Sequence, residues 1–232
     1  MKNLDFATAF MDLYPHLIGA LWLVVKVSII SYAIALILGM LIALGRMSKK
    51  RVLRYPLTAL LELIRGTPLL VQLLYVYYVL PEIITRIGGI WQPDFRFNMS
   101  AFAAGVIGLG LNYGCYMSEI FRSSILAIDK GQLEAAEALG YTSKQGMWHI
   151  VIPQSFRISV PPLGNYFIMM IKDTSLLAFI TVGEIILTTQ AYASQTFLTI
   201  ESYTIAALAY FIVSLPLGQA VRMLERRLSN HV

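Results

Sequence analysis

Residues 17–44 read LIGALWLVVKVSIISYAIALILGMLIAL, a run in which Lys26 is the one charged side chain. About 20 apolar residues in an α-helix cross the roughly 30 Å hydrocarbon core of a bilayer. This run is long enough to do so with some tilt. A cleavable leader would have a shorter apolar stretch. Residues 1–15 are also too polar for one, with Asp5, Asp12 and Pro15 among them. The run is therefore expected to stay in place as a first span.

Four more apolar stretches follow, at residues 57–80, 101–121, 160–182 and 203–224. Of the 232 residues 57% are hydrophobic and 13% charged, whereas a soluble domain carries about 25% charged residues. Water cannot solvate most of such a surface. The reading is an all-α membrane protein of five transmembrane helices, residues 1–232 forming one transmembrane domain. The longest polar interruption, residues 125–157, is expected to be a folded loop within it.

The basic residues orient the bundle. Arg46, Lys49, Lys50, Arg51 and Arg54 lie between the first two spans with no acid among them. Arg122, Lys130, Lys144 and Arg157 follow the third, and Arg222, Arg226 and Arg227 close the fifth. The other connections hold only Arg86 and Arg96, or no cation at all. Lys and Arg concentrate on the cytoplasmic side, so the N-terminus faces out and the C-terminus in. The net charge of +5 has the same origin. No long basic face points to nucleic acid.

Several chemistries are excluded. There is no phosphate-binding G-x-x-x-x-G-K-[ST] loop, no H-E-x-x-H and no G-x-S-x-G. His16, His149 and His231 are scattered, Cys115 is the single cysteine, and neither a metal site nor a disulfide is expected. No internal repeat is visible, which counts against inverted-repeat secondary carriers. No cofactor and no catalytic residue are assigned to this chain.

Residues 129–140 read DKGQLEAAEALG. Leu133, Ala136 and Leu139 recur at three-residue spacing while Lys130, Glu134 and Glu137 point elsewhere, so a short amphipathic helix is expected. Gly140 suits the left-handed conformation that closes one. A polar turn, a second helix over residues 147–152 and Pro153 complete the loop. An amphipathic helix of this kind can simply rest on lipid headgroups.

Polar groups inside apolar spans are costly and by default functional or paired. Glu62 with Arg65, and Glu119 with Arg122, are spaced i, i+3 in the inner halves of spans two and three, so each pair shares a helix face. Mutual neutralisation and packing, with a gating contribution, is favoured over substrate contact. Deeper lie Thr67, Gln72, Asn112, Tyr113, Lys172 and Asp173. Pro68 should leave the carbonyl one turn earlier without its donor. Asp173 can accept from an ammonium group; Asn112, Gln72 and Thr67 offer donors and acceptors together. Lys172 can face a carboxylate or neutralise Asp173. The alternative for all of them is interhelical glue. Lys26 is expected to snorkel outward, and Tyr75, Tyr77, Tyr78 and Trp91 to form an outer aromatic belt.

Glu134-Ala135-Ala136, then Gly140, then Ile150 to Pro153, resembles the EAA motif of ABC importer permeases, with Ile152 where the family has Leu. Glu62-Leu-Ile-Arg65-Gly66-Thr67-Pro68-Leu69 with Gln72, Tyr77 and Tyr78 resembles polar amino acid permeases of that family. Leu111-Asn112-Tyr113-Gly114, Ser118-Glu119-Ile120-Phe121-Arg122 and Lys172-Asp173-Thr174-Ser175-Leu176 fit it too. The resemblance runs from about residue 17 to 227. It implies the transmembrane domain of a type I importer in a bacterial inner membrane, carrying histidine, glutamine, arginine, glutamate or cystine by alternating access. Glu134, Ala135, Ala136 and Gly140 would couple it to a dimeric ATPase that holds the ATP and magnesium. An extracytoplasmic binding protein and a second permease copy, identical or paralogous, would complete the assembly. Rivals are a permease of the same build for methionine or a peptide, and a carrier that needs no nucleotide.

Overall fold

The computed structural model describes residues 4–229, and every regular element among them is helical; His231 lies outside the described residues. Helix α1 runs Phe6–Met47, 42 residues, or about 63 Å at 1.5 Å per residue. It starts well before the expected residue 17 because Ala9, Leu13, Leu17, Ala20 and Val24 continue a buried stripe at helical spacing. That stripe packs on the helices α9 (Ile185–Thr196) and α10 (Thr199–Ser229) near the end of the chain. Asp5 caps α1, accepting from the Thr8 N–H at 3.0 Å, and Pro15 is absorbed within it.

The expected second span is not one helix. Helix α2 (Arg51–Arg65) ends before Gly66-Thr67-Pro68, and α3 (Leu69–Leu74) continues through a π-helical turn (Tyr75–Val79) into α4 (Leu80–Gly89). The stretch long and apolar enough to cross is Leu69–Gly89, not 57–80. A residue preceding proline is pushed out of the α region, so Pro68 breaks the helix at Thr67. Helix α2 is amphipathic, turning Leu61 and Ile64 inward while Arg51, Arg54, Glu62 and Arg65 stay exposed.

Helix α5 (Ala101–Leu126) is the centre of the bundle, buried along most of its length. Among the described residues, Phe6–Met47, Leu69–Gly89, Ser143–Ile180 and Thr199–Arg227 are the four stretches with the length and apolarity of a span. Helix α5 is as long but more polar, carrying Asn112, Tyr113, Tyr116 and Ser118. A helix sheathed by other helices meets little lipid, so this third span need not be uniformly apolar.

Helices α1 and α5 run parallel and approach through small residues. A β-carbon at Gly39 would lie 3.0 Å from the Gly114 carbonyl oxygen, and one at Gly114 would lie 3.1 Å from Leu38 Cβ. Without a hydrophobic drive between helices in lipid, such close backbone approach supplies the packing.

Helices α6 (Lys130–Ala138) and α7 (Ser143–Gly146) lead through a π-helical turn (Met147–Val151) into α8 (Ile152–Asp173). The expected second loop helix is thus the cytoplasmic end of a long helix, and the fourth span begins well before residue 160. Pro153 does not end anything: it lies inside this continuous helical stretch, directly after the π-helical turn. A 3₁₀ turn (Thr174–Ile180) connects α8 to α9.

Helix α9 has no counterpart among the apolar stretches read from the sequence. Its cap is Glu184, fully buried, which accepts from the N–H groups of Ile186 and Leu187 at 2.9 Å each and from the Tyr210 hydroxyl at 2.6 Å. These bonds let a carboxylate sit inside the bundle and tie α9 to α10.

Overpacking of a close seam costs roughly 1–3 kcal/mol. Gly39→Ala and Gly114→Ala should each lower the melting temperature of the purified protein by several degrees, as read by thiol-reactive dye or intrinsic fluorescence. Gly19→Ala, where a β-carbon meets nothing within 4 Å, should leave it unchanged.

Candidate functional site

The break between α2 and α3 creates both a problem and a site. Pro68 has no N–H to give the Ile64 carbonyl, and unpaired backbone groups are intolerable in a dry bundle. The Thr67 N–H and hydroxyl reach that carbonyl only at 3.5 and 3.4 Å, and Gln72, one turn beyond the break, supplies the short bond. Its Nε2 donates to the Ile64 carbonyl at 2.7 Å and lies 2.9 Å from both the carbonyl and the Oγ1 of Thr67. Its Oε1 in turn accepts from Asn112 Nδ2 of α5 at 2.9 Å. The Thr67 hydroxyl donates back to the Leu63 carbonyl at 3.0 Å. A side-chain amide therefore splices the two half-helices and pins them to the central helix.

The break opens onto a cavity of about 500 Å³, bordered by Arg65, Thr67 and Asn112 among others. Tyr113, Tyr116, Tyr166, Met169 and Asp173 form the opposite wall. Tyr113, nearly fully buried, donates from its hydroxyl to Asp173 Oδ2 at 2.6 Å. Its ring meets Tyr166 edge-on at 6.0 Å between centroids, and Tyr116 lies 6.2 Å from the same ring. The Arg65 guanidinium stands over Tyr116 at 5.8 Å, within reach of a cation–π contact. Among the described residues, Arg65 has no carboxylate partner, and Asp173 no cationic one. One unpaired cation and one unpaired anion thus border the same aromatic cavity.

The structure brings together four of the six expected pathway residues: Thr67, Asn112, Tyr113 and Asp173. Gln72 stands behind them, its amide spent on the splice, and faces a second, apolar cavity of about 400 Å³. Lys172 is exposed and borders neither cavity. Neighbours in sequence on a helix do not face each other, so Lys172 does not neutralise Asp173. Lys26 places its Nζ 5.3 Å over the ring of Phe102, in the first turn of α5.

The expected charge pairs divide differently. Glu62 and Arg65, both exposed on α2, form no ion pair; the Arg65 guanidinium turns to the Tyr116 ring instead. Glu119 holds Arg122 at 2.5 Å, as its spacing suggests, and also Arg46 at 2.6 Å. Arg46, at the end of α1, is an orienting cation in the sequence reading and a joint in the structure. The three-membered cluster locks the cytoplasmic ends of α1 and α5 together, just above the loop that begins at residue 125.

In that loop α6 closes as expected. Gly140 has φ +87°, its N–H donates to the Glu137 carbonyl, and the Tyr141 N–H donates to the Ala136 carbonyl. This is the paired-bond ending that a left-handed glycine permits. Glu134 and Ala135 are exposed, whereas Ala136 is buried and packs with Leu133 against Gly146. Leu139 does not join that face; it is 78% exposed, and Tyr141 and Trp148 of the same loop are exposed as well.

Comparison with known proteins decides the family. Residues 35–230 match the binding-protein-dependent transport system inner membrane component family. The chain belongs to this family. Its relatives include the L-cystine transport system permease protein TcyB of Bacillus subtilis, 38% identical over 94% of this chain and 89% of that one. The glutamine transport system permease protein GlnP of Escherichia coli K12 is 32% identical over 95% and 96%. A crystal structure of an amino acid ABC transporter with histidines superposes with a TM-score of 0.85 at 33% identity, covering 97% and 99% of the two chains. A methionine ABC transporter shares the fold, with a TM-score of 0.66 at 14% identity over 90% and 95%.

This inner membrane component thus has its central polar residues where a helix is interrupted, an arrangement seen where irregular backbone lines a cavity rather than lipid. Tyr116, Tyr166 and Met169 are wall residues that the sequence reading does not name. Tyr116 follows Asn112 by four residues and Met169 precedes Asp173 by four. That helical spacing identifies a shared face only once a cavity is known.

Leaving buried polar groups unpaired costs about 1–3 kcal/mol each. Gln72→Leu leaves the Ile64 carbonyl with only the long contacts from Thr67, at 3.5 Å from its N–H and 3.4 Å from its hydroxyl, and takes the acceptor from Asn112, so the permease should melt several degrees lower in detergent. Gln72→Glu at neutral pH should do the same, since a carboxylate cannot donate to either carbonyl. Unchanged melting in both variants would contradict the splice.

Proposed function

We propose that this chain is the permease subunit of an ATP-driven importer for polar amino acids, and that the cavity at the α2–α3 break is a transient site for the solute. The reading is supported above all by Arg65 and Asp173, of opposite charge and unpaired, at one cavity. A zwitterion needs a donor for its carboxylate and an acceptor for its ammonium, and charge-assisted bonds of both kinds are the strong ones. The volume of about 500 Å³ lies within the roughly 300–1,000 Å³ of small-molecule sites. The aromatic wall gives the aliphatic part of the solute a surface, and Asn112 and Thr67 offer further hydrogen bonds. Relatives that carry cystine and glutamine by name support the solute class.

Coupling follows from the loop. Exposed Glu134 and Ala135 would meet a dimeric ATPase, which holds the ATP and magnesium, with Leu139, Tyr141 and Trp148 as apolar contacts. Helix α6 follows α5 closely, and α7 runs into α8, so displacement of the loop moves both walls of the cavity. Packed elements shift as units. The Arg46–Glu119–Arg122 cluster carries the same displacement to α1. A second permease copy would close the path, and an extracytoplasmic binding protein would deliver the solute from above.

Two measurements test this. The subunit is reconstituted with its ATPase and binding protein in proteoliposomes, and uptake of a panel of labelled amino acids is followed, methionine included. Arg65→Ala and Asp173→Ala should each cut uptake about tenfold or more, the size of a lost charge-assisted bond. Lys172→Ala should leave it near wild type. Equal uptake in all three variants would place the solute elsewhere, and stimulation by none of the polar amino acids would refute the class. Separately, Glu134→Lys should abolish solute-stimulated ATP turnover while the protein still inserts and copurifies with its second copy; unchanged turnover would refute the docking role.

A further inference from the structure

A third cavity, away from the solute path, lies where α1 and α2 diverge. It has about 580 Å³ and an almost wholly apolar lining: Leu38, Leu41 and Ile42 from α1, with Leu53, Leu57 and Leu60 from α2. Gly45 lets α2 swing close at the apex, since a β-carbon there would fall 2.3 Å from Leu57 Cδ1. Ser48 borders the cavity at its turn end.

The turn itself is strongly basic. Lys49, Lys50, Arg51 and Arg54 are all exposed, and none has a carboxylate partner among the described residues. No acid occurs between residues 46 and 61. Helix α2 starts at Arg51 with no side chain capping it, so its first N–H groups add to the positive end of the helix dipole. Arg46, by contrast, is turned inward to Glu119 and contributes nothing to this face.

An apolar wedge that opens beside unpaired cations, at the cytoplasmic level of the membrane, fits one kind of molecule. We infer that the α1–α2 groove holds an anionic phospholipid of the inner leaflet, one acyl chain between the helices and the phosphate on Lys49, Lys50, Arg51 and Arg54. A second permease copy would fill the wedge with apolar side chains, but against four cations the cytoplasmic loop of that copy offers Glu134 and Glu137 of α6, of which Glu137 is already bonded to Ser143 and Glu134 is the residue assigned above to the ATPase. A zwitterionic lipid would fill the groove equally well yet gain little from the charges. Each Lys or Arg near the surface favours an anionic headgroup. The other end of α2 carries Arg65, so the lipid also braces the half-helix that borders the solute cavity.

The test uses the full-length protein in nanodiscs of dioleoylphosphatidylglycerol or dioleoylphosphatidylcholine, whose acyl chains are identical, with retained lipid counted by native mass spectrometry. The wild type should retain phosphatidylglycerol over phosphatidylcholine by about tenfold or more. The variant with Lys49, Lys50, Arg51 and Arg54 all changed to Ala should lose that preference. Leu57→Trp, which fills the groove and spares the charges, should lose the adduct. Lys144→Ala, a cytoplasmic cation outside the groove, should keep both. Equal retention of the two lipids by the wild type overturns the inference, as does a preference that survives either groove variant or disappears in Lys144→Ala. Disulfide-linked dimers of Leu41→Cys at high yield would overturn it in favour of a second copy.

Discussion

A carbonyl without its donor organises the middle of this molecule. Pro68 cannot give an N–H to Ile64, and the Thr67 N–H and hydroxyl approach that carbonyl only at 3.5 and 3.4 Å. The Gln72 amide donates instead, and Asn112 of the central helix holds that amide in place. Because the splice is a side chain rather than a helical turn, the backbone can part at Gly66-Thr67-Pro68 without loss. The gap left on the other side is the cavity that Arg65 and Asp173 border.

The rest of the architecture keeps that gap rigid. Helix α5 gives Asn112 and Tyr113 to the site and is itself clamped by α1 through a seam of small residues. The Arg46–Glu119–Arg122 cluster fixes the same two helices at their cytoplasmic ends, and the buried Glu184–Tyr210 bond fixes α9 to α10. Polar groups inside the bundle are thus concentrated at joints between helices. They leave the lipid-facing surface apolar and give each joint a fixed geometry. The loop around α6 hangs directly from α5 and leads into α8, so force applied there reaches both sides of the cavity through packed helices.

Much of this is legible in the residues. Long apolar runs and the placement of Lys and Arg define a helical membrane protein, and Gly140 ends α6 as its conformational freedom suggests. Pro68 announces an orphaned carbonyl. What the pattern does not carry is the identity of the donor, because Gln72 is as plausible a solute ligand as a splice until its neighbours are known. The continuity of the loop helix with the fourth span is hidden because Pro153 falls between them, and a proline is accommodated inside a helix where a π-helical turn precedes it. Helix α1 extends further out because the polar residues 1–15 hide a buried stripe at Ala9 and Leu13. Arg46 and Glu184 escape a reading of the sequence since each depends on a partner more than 20 residues away, which spacing along one helix cannot reveal. The separation of Lys172 from Asp173, by contrast, follows from helical geometry alone.

The solute is expected to pause at the interrupted helix, between a cation and an anion. The most direct measurement is an electron cryo-microscopy structure of the assembled transporter with a saturating transported amino acid. The prediction is density in the cavity, its carboxylate on Arg65 and its ammonium on the free oxygen of Asp173, with the Gln72 bond to Ile64 intact. Density at any other place along the path, with this cavity empty or Arg65 paired to a protein carboxylate, would contradict it.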